Sequence, residues 1–244
     1  MKILLDNRVV VITGAGGGIG KATAIKLAEA GANLALLGGH NISKINQTAE
    51  LARSLGARVF SLPGDLTDDN FLASCIEKIL DHFGQIDVLI NNAGIAHNAP
   101  FEKTDVEVLD KIYRINVRTP FVLSQKVLPY LRLSDHAAIV NISSSLGHKG
   151  YAGQSAYAAS KHALRGMSKA IANELYTEGI RVHTVCPGGV YTDMLSVARP
   201  DVSSEGMIMP DDVAETILFL LQYRTNAVID EINIRREGKP PYEI

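Results

Sequence analysis

The chain is poor in the residues that would make it a disulfide scaffold, a metal site or a membrane protein. It has two cysteines in 244 residues, Cys75 and Cys186, far apart and outside any metal-type cluster. Two lone thiols suit a reducing compartment, and the plainer reading of both is as small buried apolar residues. No metal is expected. No apolar run approaches the ~20 residues that span a bilayer. The start, Met1-Lys2-Ile3-Leu4-Leu5-Asp6, reads as too short and too soon charged for a signal peptide. An excess of one charge is missing too: 24 Lys+Arg face 26 Asp+Glu, a formal net charge of -2. That balance gives no electrostatic reason to expect nucleic acid or an anionic membrane as a partner. No linker or low-complexity segment interrupts the chain. The expectation is a soluble, cytoplasmic protein.

What is present is enough apolar sequence for a large core. Hydrophobic residues make up 46% and charged residues 20%, which argues against disorder. The length allows one large α/β domain or two small ones. Nearly continuous apolar, β-branched runs at 8–13, 33–37, 57–61, 86–91, 137–142, 180–186 and 228–234 predict strands, as in a parallel sheet covered on both faces. Helices are predicted at 18–30, 41–55, 68–83, 105–132, 155–178 and 211–222. Gly31, Gly56, Gly84 and Gly179 stand just past four of them, and Asp68 and Asp211 are candidate caps. Strict β-α alternation predicts an α/β fold in which one doubly wound, seven-stranded parallel sheet carries helices on both faces. One domain over 1–244 is the simplest organisation. The stretch 105–132 and the helix bearing Tyr157 are apolar on more than one face, so each either meets a second subunit or is buried within the monomer.

The chemistry is concentrated in Tyr157-Ala158-Ala159-Ser160-Lys161, with Ser144 thirteen residues before the tyrosine. Residues four apart share a helix face, so the phenol and the ammonium meet. An ammonium beside a phenol favours the phenolate and is expected to draw the tyrosine pKa down. A serine hydroxyl nearby could hold a carbonyl oxygen. Ser143 and Ser145 flank Ser144, and Ser143 remains an alternative. Tyr151 has no lysine four residues on. Such a set passes a proton but cannot move a hydride, so a hydride carrier is required. Thr13-Gly14-Ala15-Gly16-Gly17-Gly18-Ile19-Gly20 follows the first strand and opens the first helix. Glycines there let backbone approach a pyrophosphate, and a helix N-terminus offers free N–H groups.

The Gly-x-x-x-Gly-x-Gly spacing resembles the short-chain dehydrogenase/reductase family. Asn91-Asn92-Ala93-Gly94, Asn116, Ser144 with Tyr157 and Lys161, and Pro187-Gly188 followed by Thr192 match further family motifs in order. The resemblance covers nearly the whole chain and is most like that of a 3-oxoacyl-acyl-carrier-protein reductase. It implies a Rossmann fold with strand order 3-2-1-4-5-6-7. It implies Tyr157 as general acid in carbonyl reduction and base in alcohol oxidation. Lys161 would lower the tyrosine pKa and bond to nicotinamide ribose, Ser144 would hold the substrate oxygen, and Asn116 would hold a water linking Lys161 to solvent. The cofactor would lie on Gly14, Gly16, Gly17, Gly18, Ile19, Gly20, Asp65, Leu66, Asn92, Ala93, Gly94, Pro187, Gly188, Val190 and Thr192, besides Tyr157 and Lys161. A homodimer or homotetramer would be the assembly.

Cofactor choice and substrate are less constrained. Gly38 takes the place of an NAD-selecting acid and Gly39 that of an NADP-selecting arginine, and Gly17 is not basic. His40 and Lys44 are the nearby cations. With no acid to repel a 2′-phosphate, NADP(H) is favoured over NAD(H), which stays open. A short substrate lid at 191–210 would bring Met194, Leu195, Val197, Met207, Ile208 and Met209 to an apolar pocket. His97, His148 and Tyr151 are candidates to face it. The substrate would be a small carbonyl, a secondary alcohol or an acyl thioester. The ending Ile229-Asp230-Glu231-Ile232-Asn233-Ile234-Arg235-Arg236 departs from the commonest family tail and resembles reductases of 3-hydroxy acids, hydroxy amino acids and small carbonyls. Gly238-Lys239-Pro240-Pro241 reads as an extended tail. The alternatives are a non-catalytic dinucleotide sensor or scaffold, which would not need the proton relay, and a sugar-nucleotide epimerase, which needs a longer chain.

Overall fold

A computed structural model describes residues 5–39, 41–193, 195 and 203–241. The apolar runs become strands β1 (Val9–Thr13), β2 (Asn33–Leu37), β3 (Val59–Leu62), β4 (Val88–Asn91), β5 (Ala138–Ile142), β6 (Arg181–Pro187) and β7 (Glu231–Ile234). All pair in parallel in the order β3-β2-β1-β4-β5-β6-β7. The order reverses beside β1, which opens a crevice at the carboxyl ends of β1 and β4.

Helices α1 (Gly18–Glu29), α2 (Ile42–Ser54) and α7 (Pro210–Gln222) cover one face. Helices α3 (Asp69–Phe83), α5 (Thr119–Leu131) and α6 (Ser155–Leu175) cover the other. The strands feed both cores by alternation. Val10 and Ile12 of β1 pack with Leu27, Ile45 and Ile217, while Val9 and Val11 pack with Leu72, Ile79 and Leu123. Burial on both faces explains why these strands read as continuous apolar runs. Both cysteines are reduced and buried.

Two expectations change. Asp211 does not cap α7: the helix starts at Pro210, and the carboxylate of Asp212 accepts from Met209 N–H at 2.7 Å. Proline fits a first turn, where its missing N–H has no partner to lose. The stretch 105–132 is not one helix. Helix α4 (Val106–Tyr113) passes into a π turn at Arg114–Arg118 before α5 begins. Pro120 has no N–H for the carbonyl of Asn116 four residues back, and its ring crowds that carbonyl, so regular α geometry fails there. Val106, Tyr113 and Phe121 keep exposed surface on this segment, so burial within the monomer accounts for only part of its apolar surface. Among the described residues no helix is long and apolar enough to cross a membrane.

Candidate active site

The glycine turn leaves β1 and doubles back into α1. Gly14 and Gly18 have φ of 67° and 50°, and a Cβ on Gly20 would fall 2.3 Å from the Gly14 carbonyl oxygen. No side chain caps α1, and its first turn holds no acid. Its leading N–H groups and positive dipole end are therefore left for an anion. Around Gly17 a Cβ would meet nothing within 4 Å. The opposite wall is tied to this turn by Thr13, whose hydroxyl accepts from the N–H groups of Asn92 and Ala93, each at 3.0 Å. Asn92 returns its side-chain amide to the carbonyls of Thr13 at 2.9 Å and Gly14 at 3.2 Å. Sequence reasoning missed Thr13; its place at the strand end, beside a glycine turn and with a hydroxyl to spare, was the available signal.

A cleft of about 510 Å³ runs from this turn to the far end of β5 and β6. Gly14, Gly17, Gly18, Ile19, Asp65, Leu66, Asn92, Ala93 and Gly94 line one end; Ser144, Tyr157, Lys161, Pro187, Gly188, Val190 and Thr192 line the rest. Three expected members stand behind the wall. Gly16 packs against Lys44, Gly20 against Gly14 and Asn92, and Asn116 is wholly buried. They shape the cleft and do not line it. His40, Met194 and Val197 lie outside the described residues.

Ser144 Oγ accepts from Leu146 N–H at 3.2 Å, which leaves its own proton to donate into the cleft that Tyr157 also lines. Tyr157 sits half-buried in the cleft wall. Lys161 is only 3% exposed, and its Nζ donates to the carbonyl of Ile142 at 2.8 Å, lying 5.6 Å from the centre of the Tyr157 ring. Burial governs both groups. The phenol is pushed up to about 12, against the weaker pull of Ser144, and the ammonium is brought down to about 8. This corrects the expected direction for the tyrosine: desolvation sets it, and the ammonium hydrogen-bonds to the end of β5.

The Asn116 side chain is fully engaged. Its carbonyl oxygen accepts from Ile95 N–H at 2.9 Å, and its amide donates to Ile95 O at 2.9 Å and Ser160 Oγ at 3.0 Å. A water would have to be held by its main-chain carbonyl, which Pro120 leaves without an amide four residues on.

At the Asp65 end of the cleft, this carboxylate accepts from the N–H and hydroxyl of Thr67, both at 2.8 Å. Gly38 has φ of 92°, and a Cβ there would fall 2.7 Å from Leu66 Cδ1. Any side chain there, an acid included, would be strained by the positive φ and would have to displace the tip of Leu66. Lys44 Nζ pairs with Asp193 Oδ2 at 2.5 Å, across the outside of the glycine turn.

Toward the other end the cleft is lined by Ile95, Ala96, Leu146, Gln154, Gly189 and Leu195. Among the described apolar residues expected from the lid, Leu195 lines the cleft, beside Thr192 and Asp193 of the same segment. Ile208 is buried against Val190, Met207 lies over Gly189, and Met209 precedes α7 with 40% of its surface exposed. His97, His148 and Tyr151 do not line the cleft. Tyr151 is exposed under Lys149, and His148 packs toward Glu231. Gln154 and the Ile142 carbonyl were not expected from sequence, because neither belongs to a recognisable spacing.

The family model described as short chain dehydrogenase matches residues 8–203. The 3-oxoacyl-acyl-carrier-protein reductase FabG of Thermotoga maritima is 34% identical, over 93% of this chain and 96% of that protein. The alcohol dehydrogenase of the archaeon Thermococcus sibiricus, crystallised with 5-hydroxy-NADP, superposes with a TM-score of 0.87 at 25% identity over 97% of this chain and 99% of that one. A short chain dehydrogenase from Burkholderia cenocepacia J2315 in complex with NADP gives 0.86 at 29% identity, over 94% of this chain and 97% of that one.

Proposed function

The chain belongs to the short chain dehydrogenase family, and from that premise we propose that it is an NADP(H)-preferring oxidoreductase interconverting a ketone and a secondary alcohol. The observation that carries this reading is that Ser144, Tyr157 and buried Lys161 line one cleft with the uncapped N-terminus of α1.

The residues fit a dinucleotide. The space over Gly17 is open to backbone approach, the α1 N–H groups suit a pyrophosphate, and the Asn92-Ala93-Gly94 wall faces them. A bound nicotinamide would supply the hydride. The protein supplies the proton and the electrostatics. Ser144, its oxygen fixed by Leu146 N–H, donates to the substrate oxygen as negative charge develops there. Tyr157 delivers the proton in reduction and takes it in oxidation, a role that typically contributes ~10²–10⁴-fold. Lys161 donates to ribose hydroxyls and biases the phenol. The main-chain carbonyl of Asn116 holds a water on the way to solvent. Asp65 and Leu66 meet the adenine.

NADP(H) is favoured because Gly38, with a positive φ that disfavours any side chain, stands where an acid would repel a 2′-phosphate, Lys44 is near, and the Thermococcus and Burkholderia proteins were crystallised with NADP or its 5-hydroxy form. The apolar far end, with Gln154 as its one amide, suits a 3-oxoacyl thioester or a comparable neutral ketone. Thr192, Asp193 and Leu195, from the start of the segment expected as a substrate lid, support that role by lining the cleft. The protein works as a homodimer or homotetramer in the cytoplasm, with the exposed Val106, Tyr113 and Phe121 surface available to a second copy.

The test is a screen of NADPH and NADH oxidation over ketones, 3-oxoacyl thioesters and aldehydes, repeated with Tyr157→Phe. The variant should lose reduction and keep cofactor affinity. Wild-type turnover in the variant would remove Tyr157 from the role.

A further inference from the structure

The last strand contributes a side chain that the reaction above leaves unused. Glu231 opens β7, and its carboxylate accepts from Arg165 Nε at 2.5 Å and Nη2 at 3.0 Å. Arg165 stands on α6 one helical turn beyond Lys161. The same carboxylate lies 3.4 Å from Nε2 of His148. His148 closes the short turn that Ser144 begins. One side chain therefore touches both the helix that bears Tyr157 and Lys161 and the turn that bears Ser144.

The rest of that turn is docked on α6 with little slack. A Cβ on Gly147 would fall 2.8 Å from Ser143 Oγ and 3.1 Å from the Lys161 carbonyl oxygen. Ser143 Oγ donates to that same carbonyl at 3.2 Å. Within the turn, Gly147 N–H donates to Ser144 O at 2.8 Å and His148 N–H to Ser145 O at 3.1 Å. A displacement at His148 thus reaches Ser144 through two hydrogen bonds. The ion pair is mostly shielded, with side chains 24% and 21% exposed, and it is two-pronged. Such pairs hold geometry better than single surface contacts.

We propose that Glu231, acting through Arg165 and His148, is a positioning residue that clamps the Ser144 turn to α6 and so fixes the Ser144 hydroxyl in the cleft relative to Tyr157. The clamp rests on the reaction proposed above and deepens it. It also gives the unusual chain ending a task. His148, Cys186 and Glu231 place ligand-type atoms within 4.8 Å of one another, as a divalent cation would need. Arg165 already occupies both oxygens of Glu231, and the Cys186 thiol is buried and pushed up to about 11. The ion pair of Glu231 with Arg165 holds the cluster in place of a metal, and His148 meets Glu231 by packing, its Nε2 without a hydrogen bond.

The experiment compares wild type with Glu231→Ala, Arg165→Met and the double variant; Glu231→Gln, of unchanged shape, replaces any of these that does not fold. Expected is a kcat lower by about 10- to 100-fold in each single variant, as for a reacting group displaced by a fraction of an ångström to an ångström. NADPH affinity from fluorescence titration stays within about twofold, because no clamp residue lines the cleft. The double variant falls no further than the singles, since both break one unit. Arg165→Lys, which keeps the charge, recovers part of the loss. Amide hydrogen exchange at Gly147 and His148 speeds up in the same variants. That readout needs no substrate: an inactive wild type would sink the proposed reaction, whereas unchanged exchange would sink the clamp. A lower Tm with unchanged kcat, additive losses, or stoichiometric zinc binding abolished by Glu231→Ala would each overturn it.

Discussion

Lys161 Nζ donates to the carbonyl of Ile142 at 2.8 Å, so the ammonium of α6 is moored to the end of β5. Burial lowers it from 10.5 to about 8. A lysine whose folded pKa lies below its unfolded value destabilises the fold fully below the folded pKa. The penalty is relieved as pH rises from about 8 towards 10.5, because the unfolded chain then binds more protons. The shift corresponds to about 3 kcal/mol, less what the Ile142 bond returns. Tyr157, raised from 10.0 to about 12, acts the other way above pH 10. Stability from denaturant melts should therefore climb between pH 8 and pH 10. Lys161→Met should be more stable than wild type at pH 7, should lack that climb, and should be inactive. A less stable variant would contradict the buried charge.

Two neighbouring glycines should respond in opposite ways. Gly20→Ala places a methyl 2.3 Å from Gly14 O and 2.5 Å from Asn92 Nδ2, which forces the turn open. We expect a loss of about 2 kcal/mol, as for overpacking in a tight site, together with cofactor affinity. Gly17 has an extended φ of -172° and free space where a Cβ would lie, so Gly17→Ala should change Tm little. Thermal melts with and without NADPH distinguish the two.

The ion pair of Lys44 and Asp193 has side chains 49% and 78% exposed, and such pairs stabilise a fold by ~0–1 kcal/mol at most. Lys44→Met should leave Tm nearly unchanged. Its effect should appear in cofactor choice, with NADPH weakened by about tenfold and NADH hardly affected. The difference should shrink as salt is added. Equal weakening of both cofactors would place Lys44 away from the 2′-phosphate.

Asp87, 2% exposed, accepts from Val9 N–H at 2.7 Å, Gln85 Nε2 at 2.7 Å and Ser134 Oγ at 2.5 Å, with Arg8 at 3.4 Å. Asp87→Ala strands these donors and should cost about 3 kcal/mol of stability. Activity per folded molecule should be unaltered, because the group lies at the amino ends of β1 and β4, remote from the cleft. Urea melts and active-site titration check both halves.

The strand positions, the sheet and the order of motifs were readable because a parallel sheet buried on both faces writes itself as apolar runs separated by amphipathic helices. The Ser144, Tyr157 and Lys161 grouping was readable from spacing along one helix and one strand end. Other parts were not. The break at Arg114–Arg118 depends on a proline acting on a carbonyl four residues back, within a stretch whose apolar pattern runs on. The direction of the Tyr157 shift depends on how far the surrounding elements bury the phenol, which spacing along one helix does not show. Glu231 and Arg165 are 66 residues apart and share no motif. Pairings of this kind become visible only in three dimensions.

The centre of the sheet holds a polar contact among apolar rows. Asn91 of β4 and Asn141 of β5 stand opposite each other in register, with Asn91 Nδ2 donating to Asn141 Oδ1 at 2.8 Å and Asn141 Nδ2 to Ser168 Oγ at 2.8 Å. Apolar strands can slide along one another at little cost, since one aliphatic side chain replaces another. An amide cannot. A slip of one residue would point it to the opposite face, away from its partner and without water. The two asparagines act as an indexing pin for chain assembly, and because Asn91 ends β4 and Asn141 stands one residue before the end of β5, the alignment they enforce is passed to Asn92 on one side and the serine turn on the other.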